Sequence, residues 1–220
     1  MHLPIVEHTC WRCGQTTEDE GEAASLFCKF CNSLQRPVVD YFAFFGFDKT
    51  LNLDTDELHR RYYMLSRQLH PDRYTRATET ERNFSLEATS ILNDGYRVLR
   101  DPVQRAEYIL KESGLNNAEP HSNDAPPELL EEVFDLNMAL DELREGDEDA
   151  LPQLKESRDR FLAMQNGIDS ELRQKFVEHD AAPEADRPEI LNAIRSILNR
   201  RRYIRNLIQE VNKEFAAREA

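Results

Sequence analysis

Between Ile190 and Phe215 the chain carries Ile190, Ile194, Ile197, Ile204, Ile208, Val211 and Phe215 at steps of three, four and seven, uninterrupted by glycine or proline. That row is one face of a long α-helix, and a helix with so much apolar surface must bury it against others. Two partners precede it, one with Leu129, Val133, Leu136, Leu140 and Leu143, the next with Leu154, Phe161, Gln165, Ile168 and Leu172. Their near-heptad spacing predicts helices packed close to parallel. Gly146 and Asp147 separate the first pair, and Pro183 and Pro188 the second, so residues 128–220 are expected to form an up-down-up three-helix bundle. Only 7 glycines occur among 220 residues, which leaves few tight turns and favours helix throughout.

A second helical unit is expected over residues 37–114. The run Tyr41, Phe42, Phe44, Phe45 and Phe47 predicts a short buried helix. Asp54, followed three residues later by Glu57, reads as a capping-box-like start. From there Leu58, Tyr62, Leu65 and Leu69 make one apolar stripe, which Pro71 stops at His70. A further helix carries Phe84, Ala88, Ile91, Gly95 and Val98, and Pro102 opens another that runs to Gly114. The two long helices, joined across the Pro71 loop, are expected to be antiparallel. Residues 115–127, with Asn116, Asn117, Pro120, Asn123, Pro126 and Pro127, read as a linker. The expected fold class is all-α, with residues 1–36 as its one exception.

That first segment holds all four cysteines, Cys10-x-x-Cys13 and Cys28-x-x-Cys31, with 14 residues between the pairs. The spacing matches a tetrahedral four-thiolate site, and Gly14 permits the tight turn such a knuckle requires. Structural zinc with a closed ligand shell is expected. Iron and a redox dithiol pair are the alternatives, the second lacking the βαβ setting of a redox enzyme. With little apolar mass, the segment cannot form a core unaided. No cysteine remains to staple the rest of the chain, which suits a reducing compartment: the cytoplasm, or the mitochondrial matrix for a eukaryotic chain already trimmed.

The formal net charge of -14 argues against a nucleic-acid partner, which needs a dense basic face. The acidity is concentrated: His121 to Asp180 holds 17 acidic against 6 basic side chains. No apolar run approaches the roughly 20 residues that span a bilayer, and the start has no charged region leading into an apolar one, so neither secretion nor membrane insertion is expected. His2, His8, His59, His70, His121 and His179 are scattered and no Gly-rich phosphate loop occurs, so an enzyme is not expected.

His70-Pro71-Asp72 follows a basic amphipathic helix bearing Arg60, Arg61 and Arg67 and precedes a second amphipathic helix. Taken alone the tripeptide is a weak match, and the plain alternative is a helix-stop proline with a capping Asp; in this setting it resembles the J-domain of the DnaJ superfamily. Tyr41-Phe42 to Gly46, the tripeptide, Leu99-Arg100-Asp101-Pro102 and Arg105-Ala106-Glu107-Tyr108 narrow the resemblance to the HscB family of iron-sulfur co-chaperones, from about Asp40 to the C-terminus. The resemblance implies that His70, Pro71 and Asp72, with the preceding basic helix, engage a DnaK/HscA-class chaperone and promote its ATP hydrolysis. Arg60, Arg61 and Arg67 would supply steering and forked hydrogen bonds to acidic groups, and Asp72 a partner for a cation. It also implies a four-cysteine module like that of eukaryotic relatives, and a C-terminal bundle that binds the IscU-type scaffold.

The bundle supplies its own reason to look there. Leu130, Phe134 and Met138 form a second row at spacing four, rotated from the core stripe and bordered by Glu131, Asp135 and Asp141. Such a row is either an apolar strip with an acidic rim, fit for a partner, or the edge of a wide core face. The family's scaffold contacts align with Leu130, Glu131, Phe134, Asp135, Met138 and Tyr203, although Glu131 stands where relatives often have Met, and Met138 where they often have Glu. A general J-domain co-chaperone for other clients is the alternative; it predicts a Gly-rich linker and a β-rich client domain, neither of which the sequence carries.

Overall fold

The structure, a computed structural model, describes residues 5–20, 26–115 and 129–219. It divides into two compact units, Met1–Tyr108 and Ile109–Ala220. The linker expected at 115–127 lies outside the described residues except for Leu115.

The first unit opens with an antiparallel ribbon, β1 (Ile5–Thr9) against β2 (Thr16–Glu20), in the register Ile5 to Glu20 and Thr9 to Thr16. Helix α1 (Tyr41–Phe45) starts at Asp40, whose carboxylate accepts from the Ala43 amide, and buries Phe42, Phe44 and Phe45. Helix α2 (Thr55–Leu69) starts at Asp54, whose carboxylate accepts from the Asp56 and Glu57 amides. The reciprocal half of the expected capping box is missing, because Glu57 turns to Arg60 and Arg61 instead. Helix α3 (Glu79–Arg100) is capped by Thr78, whose Oγ1 accepts from the Glu81 amide at 3.3 Å and donates to the Glu81 carboxylate at 3.2 Å, so the return bond goes to the cap's hydroxyl and not to its backbone N–H.

Helices α2 and α3 run antiparallel. Leu69 meets Ser85 and Thr89 at one end, while Tyr62 meets Asn93 and Tyr96 at the other. The buried row of α3 is Ser85, Ala88, Leu92, Gly95 and Leu99, with Phe84, Ile91 and Val98 half-buried at its edge. This row is shifted from the expected one because α3 packs on α1 as well as α2, and Gly95 lies where a Cβ would meet the Tyr41 and Phe45 rings at 3.0 and 3.1 Å. The last helix of this part, α4 (Pro102–Glu112), is anchored by buried Arg105, which donates to the Leu51 carbonyl at 2.8 Å and to that of Leu99.

The second unit contains α5 (Leu130–Arg144), α6 (Leu151–Ala181) and α7 (Arg187–Glu219). Arg200 pairs with Glu171, and Arg201 with Asp169 at 2.5 Å, which sets α6 and α7 antiparallel. Arg144 bonds Glu210 and Glu214, and Arg218 donates to the Leu143 carbonyl, so the C-terminal ends of α5 and α7 lie together. The arrangement is the expected up-down-up bundle. Leu136, Ala139, Leu140 and Leu143 of α5 meet a core that includes Leu154, Phe161, Ile168, Ile194, Ile204 and Val211. At 1.5 Å per residue α5 is about 22 Å long and its partners roughly twice that, so α5 covers only part of their seam. The fold is thus all-α apart from the ribbon that frames the cysteines.

Candidate functional site

The His70-Pro71-Asp72 loop is shaped by three local devices. His70 ends α2, and its Nδ1 accepts from the Asp72 amide at 3.3 Å. Pro71 opens a short 3-10 turn, Pro71–Tyr74, closed by the Arg73 amide on the His70 carbonyl at 2.9 Å. The root of the loop is tied down from α3, where the Ser85 hydroxyl donates to the Leu69 carbonyl at 2.7 Å and that of Thr89 donates to the same oxygen at 3.3 Å. His70 and Asp72 themselves face solvent, the Asp72 side chain 88% exposed.

The three arginines of α2 differ in what they do. Arg60 and Arg67 are exposed on one face, with Tyr63 and Met64 exposed between them. Arg61 turns back into the fold: it bonds Glu57 at 2.8 Å and the Phe45 carbonyl at 2.9 Å, and lies 4.1 Å from the Phe47 ring centroid. Hydrogen bonds from Arg61 and Arg60 hold the Glu57 carboxyl below its ordinary range. Tyr63 and Met64 were not legible as surface residues, since each sits one step from the apolar stripe.

The four cysteine sulfurs lie within 4.8 Å of one another and none is in a disulfide. Cys10 Sγ is 3.7 Å from Cys31 Sγ, and Cys13 Sγ 3.8 Å from Cys28 Sγ. A tetrahedron with metal-sulfur bonds of about 2.3 Å has edges of about 3.8 Å, so the donors fit one ion with no place left for substrate. The Arg12 and Cys13 amides point at Cys10 Sγ and the Phe30 amide at Cys28 Sγ, as expected for sulfurs that carry negative charge. Burial pushes the Cys10 thiol up, but hydrogen bonds from the Ser33 hydroxyl and the Cys13 and Arg12 amides outweigh it and bring it down to about 5. The Ser33 hydroxyl also lowers Cys31. For Cys13 a hydrogen bond from the Gln15 backbone works downward, while burial and the sulfurs of Cys10, Cys31 and Cys28 push it up to about 12.

On α5 the second row is a surface: Leu130, Phe134 and Met138 are 57%, 67% and 44% exposed. Glu131 beside them is exposed and Asp135 half-buried. Of the two readings of this row, the outward-facing one holds. Tyr203 is half-buried on α7, with its hydroxyl raised by burial and by Glu210. From the Arg144–Glu214 pair, ten residues back along α5 reaches Phe134 and eleven back along α7 reaches Tyr203, so the two stand at about the same level.

Comparison with known proteins covers both units. A DnaJ domain model matches residues 40–108, and a model described as the HSCB C-terminal oligomerisation domain matches residues 125–212. The iron-sulfur cluster co-chaperone protein HscB of Homo sapiens is 29% identical over 204 residues, 92% of this chain and 80% of that protein. A co-chaperone protein HscB homolog of Neisseria meningitidis is 30% identical over 159 residues, 71% of this chain and 95% of that protein. The crystal structure of human co-chaperone protein HscB superposes with a TM-score of 0.71 at 27% identity, over 94% of this chain and 98% of that one.

Proposed function

The chain belongs to the HscB family of iron-sulfur cluster co-chaperones, and on that footing we propose that it stimulates the ATPase of a DnaK/HscA-class chaperone and delivers to it an IscU-type iron-sulfur scaffold protein during cluster assembly and transfer. The observation that carries this reading is the exposed His70-Pro71-Asp72 loop, anchored at Leu69 by two hydroxyls of α3 and flanked by Arg60 and Arg67. An anchored loop with an imidazole and a carboxylate both facing solvent suits docking on a partner that offers complementary charge. Arg61 contributes from behind, by holding the end of α1 against α2.

The exposed strip of Leu130, Phe134 and Met138, with Glu131, Asp135 and Tyr203 around it, is the proposed scaffold site. An apolar centre with a charged rim is the composition of a specific interface, which favours one dedicated client over unfolded chains at large. Cys10, Cys13, Cys28 and Cys31 are proposed to hold structural zinc; a four-thiolate shell gives the ion no open position for catalysis, in keeping with a co-chaperone rather than an enzyme. Four reduced cysteines suit the cytoplasm or the mitochondrial matrix.

Steady-state ATPase measurements with a DnaK-class chaperone test the reading. His70→Gln is expected to abolish stimulation while the circular dichroism and melting of the chain stay those of the parent. Stimulation equal to the parent's at matched concentration would remove the loop from the chaperone contact.

A further inference from the structure

The two residues between Cys10 and Cys13 are Trp11 and Arg12, and both reach helix α3. The Trp11 indole N–H donates to the Leu34 carbonyl at 2.8 Å, fixing the ring to the second half of the knuckle, and the ring meets Phe84 edge-on at 6.1 Å. Arg12 Nη1 donates to Glu81 Oε1 at 3.4 Å; the Glu81 side chain is 9% exposed, so this cation answers a carboxylate that is almost out of water. Such a carboxylate, left without its partner, destabilises the place that holds it.

Glu81 and Ser85 are one helical turn apart on the same buried face of α3. Glu81 bonds the Thr78 hydroxyl that caps the helix, through both its amide and its carboxylate, and Ser85 holds the Leu69 carbonyl, one residue before His70. The first two turns of α3 therefore carry the knuckle at one point and the root of the loop at the next. Among the described residues the knuckle buries Cys10, Cys28, Ser33 and Leu34, a core of the size that a structural ion ordinarily has to complete.

We propose that the metal-loaded knuckle is a brace for the His70-Pro71-Asp72 loop, with Arg12 as a positioning residue that acts through Glu81 and the first turns of α3. This deepens the chaperone reading above and rests on it for its functional arm. Metal occupancy then sets how well the loop is ordered, and with it the affinity for the chaperone. Glu81 and Ser85, which look like surface polar residues in the sequence, are the links.

Backbone 15N relaxation on the full chain tests the brace without any chaperone present. In the metal-loaded parent and in Arg12→Lys, order parameters of the Asp72, Arg73 and Tyr74 amides are expected near 0.85; in the chelator-stripped parent and in Arg12→Ala they are expected to fall below about 0.6. The Ser33 amide in Arg12→Ala stays as rigid as in the parent, which separates the loss of the contact from the loss of the knuckle. Should Ser33 loosen as well, Glu81→Gln, which leaves the knuckle intact, decides in its place. In the ATPase assay the concentration for half-maximal stimulation rises about fivefold in Arg12→Ala, returns in Arg12→Lys, and the maximum is unchanged. Loop order parameters unchanged on stripping, or unchanged in Arg12→Ala with the knuckle rigid, overturn the brace. A loaded parent that stimulates no DnaK-class ATPase removes the chaperone reading instead, while the relaxation data still decide the brace.

Discussion

Glycine at position 95 shows how a single residue can seat a whole helix. Its missing side chain is the space into which the Tyr41 and Phe45 rings fit, and Tyr41 in turn stacks on Tyr108 at 4.7 Å, so the rings have little room to retreat. Gly95→Ala gains about 1 kcal/mol of helix propensity but overpacks the contact by about 1–3 kcal/mol. The expected net is a loss of about 1 kcal/mol, seen as a melting temperature lowered by about 2–4 °C. A melting temperature equal to the parent's would show that the α1 rings can shift. At this scale the sequence was legible where chemistry is local. The tripeptide at His70 and the cysteine pairs could be read directly, because spacing alone defines them. Arg61, Glu81 and Ser85 could not: each is polar, and each is turned inward to a partner 15 or more residues away that no periodicity reveals.

At the scale of elements, α5 had been open to two readings. A helix with apolar residues on two adjacent rows looks the same whether a neighbour covers the second row or not, and only the packing of α6 against the first row decides it. With Leu130, Phe134 and Met138 exposed, their joint replacement by Ala is expected to shift stability by within about 1 kcal/mol. Affinity for an IscU-type scaffold is expected to fall by about 2 kcal/mol or more, because a few central apolar anchors dominate such interfaces. Thermal melts and calorimetric titration check the two halves; a collapsed melting temperature would return the row to the core, and unchanged affinity would move the scaffold site elsewhere. The knuckle is the opposite kind of element, held by donors rather than by a core. Elemental analysis is expected to find about one zinc per chain, and chelation to scatter the amide signals of Cys10 to Cys31 while the far-ultraviolet helical signal persists. Iron in place of zinc would correct the identity of the ion, and an ordered metal-free knuckle would remove the site.

Across the whole molecule, the proposed chaperone and scaffold surfaces fall in different compact units, Met1–Tyr108 and Ile109–Ala220. The triple replacement on α5 is therefore expected to leave stimulation measured without scaffold at the parent's level, and His70→Gln to leave scaffold affinity unchanged. The architecture of both units followed from apolar spacing and from the prolines and glycines between rows. The ribbon of β1 and β2 did not, since five-residue strands with polar neighbours carry no clear alternation and form here around the cysteine turns. Helix α5 has a further consequence. At 15 residues, with no side-chain cap at Leu129, it is near the length below which a helix in water is marginal by itself. It is held by packing its Leu136, Ala139, Leu140 and Leu143 face into the bundle. The strip it displays is thus an all-or-none surface: a copy whose bundle has not folded offers no recognition at all, and any partner that grips Phe134 is in effect inspecting the state of the entire bundle beneath it.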